Sequence, residues 1–250
     1  MLVFLPLPAA SASCESLKSL SLQNTTVTSA QAVDAGQFMN LPAFCRVAAT
    51  LKPTSDSNIK IEVWLPAAGW NGNFQAAGNG GLAGSIGFNA MAGFLRAGYA
   101  AAGTDTGHEG MTGEFIIGHP EKLKDYAYRA FHEMTVVSKA LVQAYYGNPP
   151  KLSVLNNSGG GGRQALSEAQ RYPADYDAIA VPGTVDVYAT KLHFGQTWVY
   201  QATHKDPGSY IPPEKYPAIH DAALAKCDDL ADGVKDGLID NPEAVPSIQR

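Results

Sequence analysis

The sequence predicts an α/β protein whose mostly parallel sheet is covered by helices on both faces. Short apolar stretches alternate with helix-forming stretches along most of the 250 residues. Glycine-rich turns follow two of the predicted strands, at the carboxyl edge where α/β proteins keep their chemistry. A hydrophobic content of 45% and a charged content of 16% are typical of a globular core and exclude a disordered or fibrous chain.

The first 13 residues, MLVFLPLPAASAS, are apolar and end in small residues that resemble a signal-peptidase site. Because they lack the basic n-region of a complete signal peptide, we interpret them as the remnant of one, with a short apolar N-terminal strand as the alternative. Export would permit disulfides, so we expect a secreted or periplasmic protein. Cys14 with Cys45 is the preferred pair, tying the N-terminal arm to the body, and Cys227 is then left over.

The strands and helices are predicted from hydrophobic periodicity and from the glycine and proline residues at which they end. Strands are predicted at 59–65, 73–77, 99–103, 152–155 and 178–181. Helices are predicted at 88–96, at about 121–146 and from 163 to the residue before Pro173. No run approaches the roughly 20 apolar residues that span a bilayer. A net charge of −5 gives no reason to expect nucleic acid or an anionic membrane as a partner.

The turn between the strand at 152–155 and the next helix has two chemical interpretations. It matches the nucleophile elbow G-x-S-x-G at Ser158 and Gly160, with Asn156 in place of the first glycine. It also matches a dinucleotide-binding turn, G-x-G-x-x-A, from Gly160 to Ala165, which would indicate hydride transfer. The structural alternative is a glycine turn that lets the helix and the strand pack closely.

The chain resembles the tannase and feruloyl esterase family of α/β-hydrolases. The motifs that carry this resemblance are CESL at 14–17, LPAFCRV at 41–47, IEVWLP at 61–66, WNGNF at 70–74, GNGGLAG at 78–84, GTDTGH at 103–108, YRAFHE at 128–133, GGRQAL at 161–166 and EAQRYP at 168–173. The resemblance implies a secreted serine esterase that forms an acyl-enzyme with small aromatic esters, such as gallates or ferulates. It also implies that 14–183 is the N-terminal part of an α/β-hydrolase core and that 184–250 begins an inserted lid domain.

The sequence departs from the family at the nucleophile. The family carries Gly-Cys-Ser-x-Gly-Gly-Arg-Gln, and a gapless match places Gly159 at the position of the nucleophilic serine. Glycine has no side chain, so this register excludes covalent catalysis there. A shift of one residue would make Ser158 the nucleophile and would let Gly159 supply an oxyanion amide. We favour the gapless register because the match downstream of the turn is unbroken.

The resemblance also implies where the other parts of the site lie. Two backbone amides would stabilise the oxyanion, one from the residue after the nucleophile, Gly160, and one from Gly80 or Gly81. The acid and the base of the family's triad would follow residue 250. His108 and His132 are expected to be hydrogen-bonded scaffold residues.

The segment CDDLADGVKDGLID at 227–240 combines aspartates with glycines and offers hard oxygen ligands to calcium. The resemblance assigns side-chain ligands to Asp229, Asp232 and Asp236, and carbonyl ligands to Val234 and Leu238. A solvated acidic turn is the alternative. The expected role of the calcium ion is structural, fixing the lid.

Two functional hypotheses follow. In the first, the protein is a serine esterase for phenolic esters. In the second, it is a truncated or degenerate member of the family without catalysis, because Gly159 stands at the nucleophile position and the Asp and His partners are absent.

Overall fold

The computed structural model describes residues 12–183, 193–230 and 233–239. The chain divides into two compact units, Met1–Thr190 and Lys191–Arg250. The first unit contains the sheet. The described residues of the second unit form helices and turns only.

The sheet has seven strands, in the spatial order β1-β2-β3-β5-β4-β6-β7. The strands are β1 Thr25–Val33, β2 Phe44–Leu51, β3 Ile59–Pro66, β4 Asn73–Ala77, β5 Ala100–Thr104, β6 Leu152–Asn156 and β7 Ala178–Ala180. Strands β5, β4, β6 and β7 run parallel to one another, and β1, β2 and β3 extend the sheet with antiparallel pairings. The predicted α/β class is confirmed, while β1 and β2 were not predicted as strands.

The helices are α1 Phe88–Arg96, α2 Pro120–Lys124, α3 Ala130–Tyr146, α4 Gly159–Arg171, α5 His193–His204 and α6 Tyr216–Cys227. The helix predicted at 121–146 is interrupted by a π-helical turn at Asp125–Arg129. The Arg129 guanidinium there bonds to the carboxylates of Asp125 at 2.6 Å and of Glu121 at 2.7 Å. Helix α4 begins four residues earlier than predicted, so four glycines occupy its first turn.

Helices cover both faces of the sheet because the strand side chains alternate between them. On one face, Ile61 and Val63 of β3 pack with Met134 and Leu141 of α3. On the other face, Trp64 of β3 packs with residues of α1. Two apolar cores therefore hold the parallel strands rigidly, and the turns at their carboxyl ends are built on that framework.

A disulfide joins Cys14 to Cys45, as predicted from the sequence. It ties the short 3-10 helix Glu15–Ser19 to β2 and leaves Cys227 as a free, buried thiol. The proposed signal-peptide remnant lies largely outside the described residues, which begin at Ala12. Within the described part of the chain, no helix combines the length and the apolar character that crossing a membrane requires.

Candidate functional site

The turn between β6 and α4 lies at the carboxyl edge of the parallel strands. Ser158 is the N-cap of α4, with an extended backbone at φ −120° and ψ 170°, and its side chain makes no capping hydrogen bond. Gly159 follows with φ +56°, the left-handed region that glycine adopts at no steric cost. The positive φ therefore falls on Gly159, so Gly159 is the residue at the sharpest point of the turn from strand to helix.

The consecutive glycines of this turn differ in how much free space a side chain would have at each position. A Cβ atom placed on Gly160 would lie 2.6 Å from the Asn79 carbonyl oxygen and 2.7 Å from the Gly81 nitrogen. On Gly161 it would lie 3.1 Å from the Gly78 Cα. On Gly159 it would meet no heavy atom within 4 Å. Gly160 and Gly161 are thus required for close packing, whereas a side chain at 159 would stand in open space.

Ser158 is exposed, but unlike Gly159 it has a residue close to its side chain, which is Gly183. A Cβ atom on Gly183, in the segment after β7, would lie 3.0 Å from the Ser158 Cβ. A Cβ atom placed on Gly159 meets no heavy atom within 4 Å. The structure therefore places Ser158 beside the turn that follows β7, and places Gly159 at the open apex of the elbow.

The glycine loop at 78–84 follows β4, the central parallel strand, and lies against the first turn of α4. The Gly78 amide donates to Asn157 Oδ1 at 3.0 Å, and the Asn79 amide donates to Gln164 Oε1 at 3.0 Å. The amides of Gly80 and Gly81 have no hydrogen-bond partner among the residues that the structure describes. These two donors lie beside Gly160, the residue after the elbow apex.

Asn79 anchors this loop from within the fold. Its Nδ2 donates to the carbonyl oxygens of Ser85 and Thr104, each at 2.8 Å, and its Oδ1 accepts from Gln164 Nε2 at 3.0 Å. The Tyr126 hydroxyl also donates to the Gly81 carbonyl at 2.9 Å. These bonds hold the loop, so the unpartnered amides keep a fixed direction without a ligand.

Asn157 and Gln164 are functional candidates that the sequence reasoning missed. Both contribute a side-chain amide that fixes the 78–84 loop against the elbow. A signal was present for Gln164, which is a polar residue on the buried side of α4 within the motif GGRQAL. Because a buried amide requires hydrogen-bond partners, its position alone indicates a specific contact.

His108 holds the other end of the 78–84 loop through a hydrogen bond to Leu82. Its Nε2 lies 2.8 Å from the Leu82 carbonyl oxygen, which can only accept, so Nε2 carries a proton. Its Nδ1 lies 3.1 Å from the Thr106 hydroxyl, and its ring stacks on Phe115. Both ring nitrogens are engaged, which supports the scaffold role expected for His108.

Asp105 fixes the start of the turn that leads to His108. It is buried, and its Oδ1 accepts from the amides of Lys60 at 2.9 Å and Gly107 at 2.8 Å. Burial raises the pKa of the Asp105 carboxyl to about 6, although these backbone hydrogen bonds oppose the rise. The side chain bridges β3 to the end of β5 and so positions the turn beside the 78–84 loop.

The proposed calcium ligands belong to the second unit. Asp236 Oδ1 accepts from the Leu238 amide at 3.0 Å, and Asp229 Oδ2 lies 3.3 Å from Lys235 Nζ. Val234 and Leu238 occupy the same loop, whereas Asp232 lies outside the described residues. Within the described part, the carboxylates of this loop do not come together as a group of three.

The loop itself is shaped by Asp228, which the sequence reasoning did not assign. Asp228 Oδ1 accepts from the Gly237 amide at 3.1 Å. Gly233 and Gly237 adopt φ values of +81° and +85°, which bend the chain back on itself. Carboxylate and carbonyl oxygens are the donors that calcium prefers, so the chemistry of this donor set fits the ion.

Comparisons with known proteins show the family to which the chain belongs. The family model described as tannase and feruloyl esterase matches residues 45–246. An uncharacterised esterase of Xanthomonas campestris is 40% identical over 244 residues, covering 94% of this chain and 42% of its own length. A probable feruloyl esterase B-1 of Neosartorya fischeri is 33% identical over 205 residues, covering 82% of this chain and 39% of its own length.

Solved structures give the same result. Feruloyl esterase B from Aspergillus oryzae matches with a TM-score of 0.73 and 32% identity, over 93% of this chain and 49% of that one. Tannin acyl hydrolase from Aspergillus niger, at 24% identity and a TM-score of 0.62 over 87% of this chain and 43% of that one, shares the fold. The chain spans less than half the length of these relatives. The chain belongs to the tannase and feruloyl esterase family and has its α/β-hydrolase fold.

Proposed function

We propose that this chain is the carbonyl-binding part of a carboxylic ester hydrolase for phenolic esters of feruloyl or galloyl type. The observation that carries the proposal is Gly159, whose positive φ and open surroundings support it as the elbow apex. The unpartnered amides of Gly80 and Gly81 lie in the loop that packs against the next residue, Gly160. The names of the relatives, feruloyl esterase and tannin acyl hydrolase, supply the ester class.

The arrangement binds an ester carbonyl without attacking it. The carbonyl oxygen would accept hydrogen bonds from the Gly160 amide and from one amide of the 78–84 loop, the donor pair that an acyl-transfer site needs. An acyl-enzyme requires a side-chain oxygen at the elbow apex, and Gly159 provides none. In its present form, this site therefore holds the ester or its carboxylate product noncovalently.

Acylation of Ser158 is the competing function. The exposure of Ser158 favours it, because an exposed hydroxyl is accessible to an ester. Its extended backbone and its position against Gly183 oppose it, since the elbow geometry falls on the next residue. Ser158 would also need a general base, and no side-chain hydrogen bond joins its hydroxyl to a histidine among the residues that the structure describes.

Two assays on the purified 250-residue protein separate these functions. Hydrolysis of methyl ferulate and methyl gallate is followed by chromatography, and binding of the same esters is followed by saturation-transfer NMR. The variants are Ser158→Ala, Gly160→Ala, which crowds the loop amides, and Ser167→Ala as a control on the same helix. We expect binding without turnover, retained in Ser158→Ala and Ser167→Ala and weakened in Gly160→Ala.

Two results would overturn the proposal. Turnover that disappears in Ser158→Ala would assign the nucleophile to Ser158 and establish an active serine esterase. Absence of binding by folded wild-type protein would show that the elbow is not a ligand site. Circular dichroism of each variant confirms that it is folded before either assay is interpreted.

We further propose a secreted or periplasmic location, supported by the Cys14–Cys45 disulfide, which persists in oxidising compartments. Protein isolated from the cells that naturally make it should be found outside the cytosol, with one free thiol before reduction and three after it. Recovery only from the cytosol, with three free thiols, would contradict this location.

We also propose that a structural calcium ion binds the loop after α6. Asp229, Asp232 and Asp236 would provide carboxylates, and Val234 and Leu238 would provide carbonyl oxygens. Calcium should raise the melting temperature of wild-type protein, and Asp229→Asn should abolish the increase. An equal increase in both proteins would contradict this ligand set.

A further inference from the structure

A second cluster of ionisable side chains lies away from the elbow, at the far end of α4. His132 of α3, Glu168 of α4 and Asp175 of the following turn each offer one donor atom, and these three atoms lie within 4.8 Å of one another. Glu168 follows Gly159 by nine residues, which places it about 13 Å along the helix. The ester site and this cluster are therefore separate.

Glu168 is the feature of the cluster that requires explanation. Its side chain is fully buried, and neither carboxylate oxygen has a hydrogen-bond partner among the described residues. A buried charge without a partner is costly, so such groups are normally paired with a cation or bound to a metal.

The other two donors are already oriented. His132 Nδ1 lies 2.6 Å from Asp175 Oδ2, and the His132 ring stacks on Tyr172 with the centroids 3.7 Å apart. The Asp175 backbone carbonyl accepts a hydrogen bond from Lys139 Nζ. The stacked ring and the fixed turn hold the imidazole and the carboxylate on the side of Glu168.

We propose that His132, Glu168 and Asp175 form a binding site for a divalent transition-metal ion of the zinc type. One imidazole nitrogen with two carboxylate oxygens suits zinc better than calcium, which prefers oxygen alone. The ion replaces the hydrogen bond between His132 and Asp175, and these atoms move apart to admit metal–ligand distances of about 2.0–2.2 Å. Partial exposure of His132 leaves an entry path and a position for water.

The bound ion has a structural role, because it links α3 to α4 and to the turn before β7. It also supplies a directly bound partner for the buried Glu168 carboxylate, whose oxygens have no hydrogen bond among the described residues. Lys139 limits the affinity, since its half-buried ammonium places a positive charge near the same carboxylates. Removing that charge should therefore strengthen metal binding.

Isothermal titration with zinc chloride tests this site on chelator-treated protein, with excess calcium present to occupy the loop after α6. We expect one zinc ion per chain and an increase in the melting temperature. Glu168→Gln, which keeps the shape but removes the charge, should weaken zinc binding at least about tenfold. Glu133→Gln, a glutamate on α3 outside the donor group, is the matched control and should bind zinc as the wild type does.

Lys139→Met provides an independent measurement, because it should bind zinc more tightly than the wild type. Equal zinc affinity in the wild type and in Glu168→Gln would overturn the site. Failure of the folded wild type to bind zinc would also overturn it. If Glu168→Gln then also melted at a higher temperature than the wild type, a proton shared between Glu168 and Asp175 would account for the buried carboxyl.

Discussion

The Gln164 side chain makes two hydrogen bonds to Asn79, one to its backbone and one to its side chain, across 85 residues of sequence. Gln164 Oε1 accepts from the Asn79 backbone amide, and Gln164 Nε2 donates to Asn79 Oδ1, each at 3.0 Å. Both residues are buried. The pair joins the loop that follows β4 to the helix that follows β6, so the direction of the Gly80 and Gly81 amides depends on Gln164.

Replacing Gln164 with Met should loosen the 78–84 loop. The change keeps the size of the side chain but leaves the buried Asn79 amide without an acceptor, which costs about 1–3 kcal/mol of unfolding free energy. Amide hydrogen exchange should become faster in the loop and unchanged in β3. Gln170→Met, on an exposed position of the same helix, is the control. Unchanged exchange in the loop would show that Gln164 does not hold it.

Adding one methyl group to Gly160 should destabilise the folded state more than adding one to Gly80. The Gly160 Cβ would press on the Asn79 carbonyl and the Gly81 nitrogen, whereas a Gly80 Cβ meets nothing within 4 Å. Such overpacking typically costs about 1–3 kcal/mol, so Gly160→Ala should lower the denaturant midpoint clearly. Gly80→Ala should leave it nearly unchanged. Equal midpoints would mean that the loop moves aside freely.

Glu62 should contribute more to stability than Glu109, although both pair with a basic residue. Glu62 is buried and accepts from Arg46 at 2.6 and 2.8 Å and from the Trp64 indole at 2.7 Å. Glu62→Ala leaves both donors without an acceptor and should cost about 2–3 kcal/mol in chemical denaturation. Glu109→Ala removes only an exposed pair with Lys60, and its denaturation curve should overlay that of the wild type. Similar losses in both variants would contradict this ranking.

Asp105 should make the folded state less stable as the pH rises from about 4 to about 6. Its folded pKa of about 6 exceeds the ordinary value of 3.8, so the folded protein holds a proton that the unfolded chain has released in this window. The resulting loss is roughly 2–4 kcal/mol, at 1.36 kcal/mol for each unit of pKa difference.

Asp105→Asn removes this titration but keeps an oxygen that can accept from Lys60 and Gly107. Unfolding free energies measured between pH 4 and pH 7 should therefore diverge, with the variant more stable than the wild type at pH 7. Parallel curves over this range would show that Asp105 titrates with its ordinary pKa.

The strands and helices that were predicted correctly are those whose sequence of apolar and polar residues matches the burial of their side chains. Strand β4 and helix α1 begin and end where periodicity placed them. Strand β1 was missed because its sequence, TTVTSAQAV, contains few apolar residues and alternates poorly, as does its burial. Its position is fixed by pairing with β2 and by the disulfide at Cys45, neither of which is a local property.

The site was predicted less completely than the fold. Gly80, Gly81 and Gly160 were assigned from the family motif, and Gly80 and Gly81 lie against Gly160. The start of α4 was placed four residues late because glycine is a poor helix former. The close approach of Gly161 to Gly78 overrides that propensity. Such contacts between distant segments cannot be inferred from local sequence.

The positive φ at Gly159 also affects how this gene can vary. A residue with a side chain in that conformation stores about 1–3 kcal/mol of backbone strain, and glycine stores none. Relief of that size favours the folded state by about five- to 150-fold. A glycine at this position therefore leaves folding free energy that offsets one or two average destabilising substitutions. Placing glycine at the apex of the turn thus widens the range of mutations that the rest of the fold can accept.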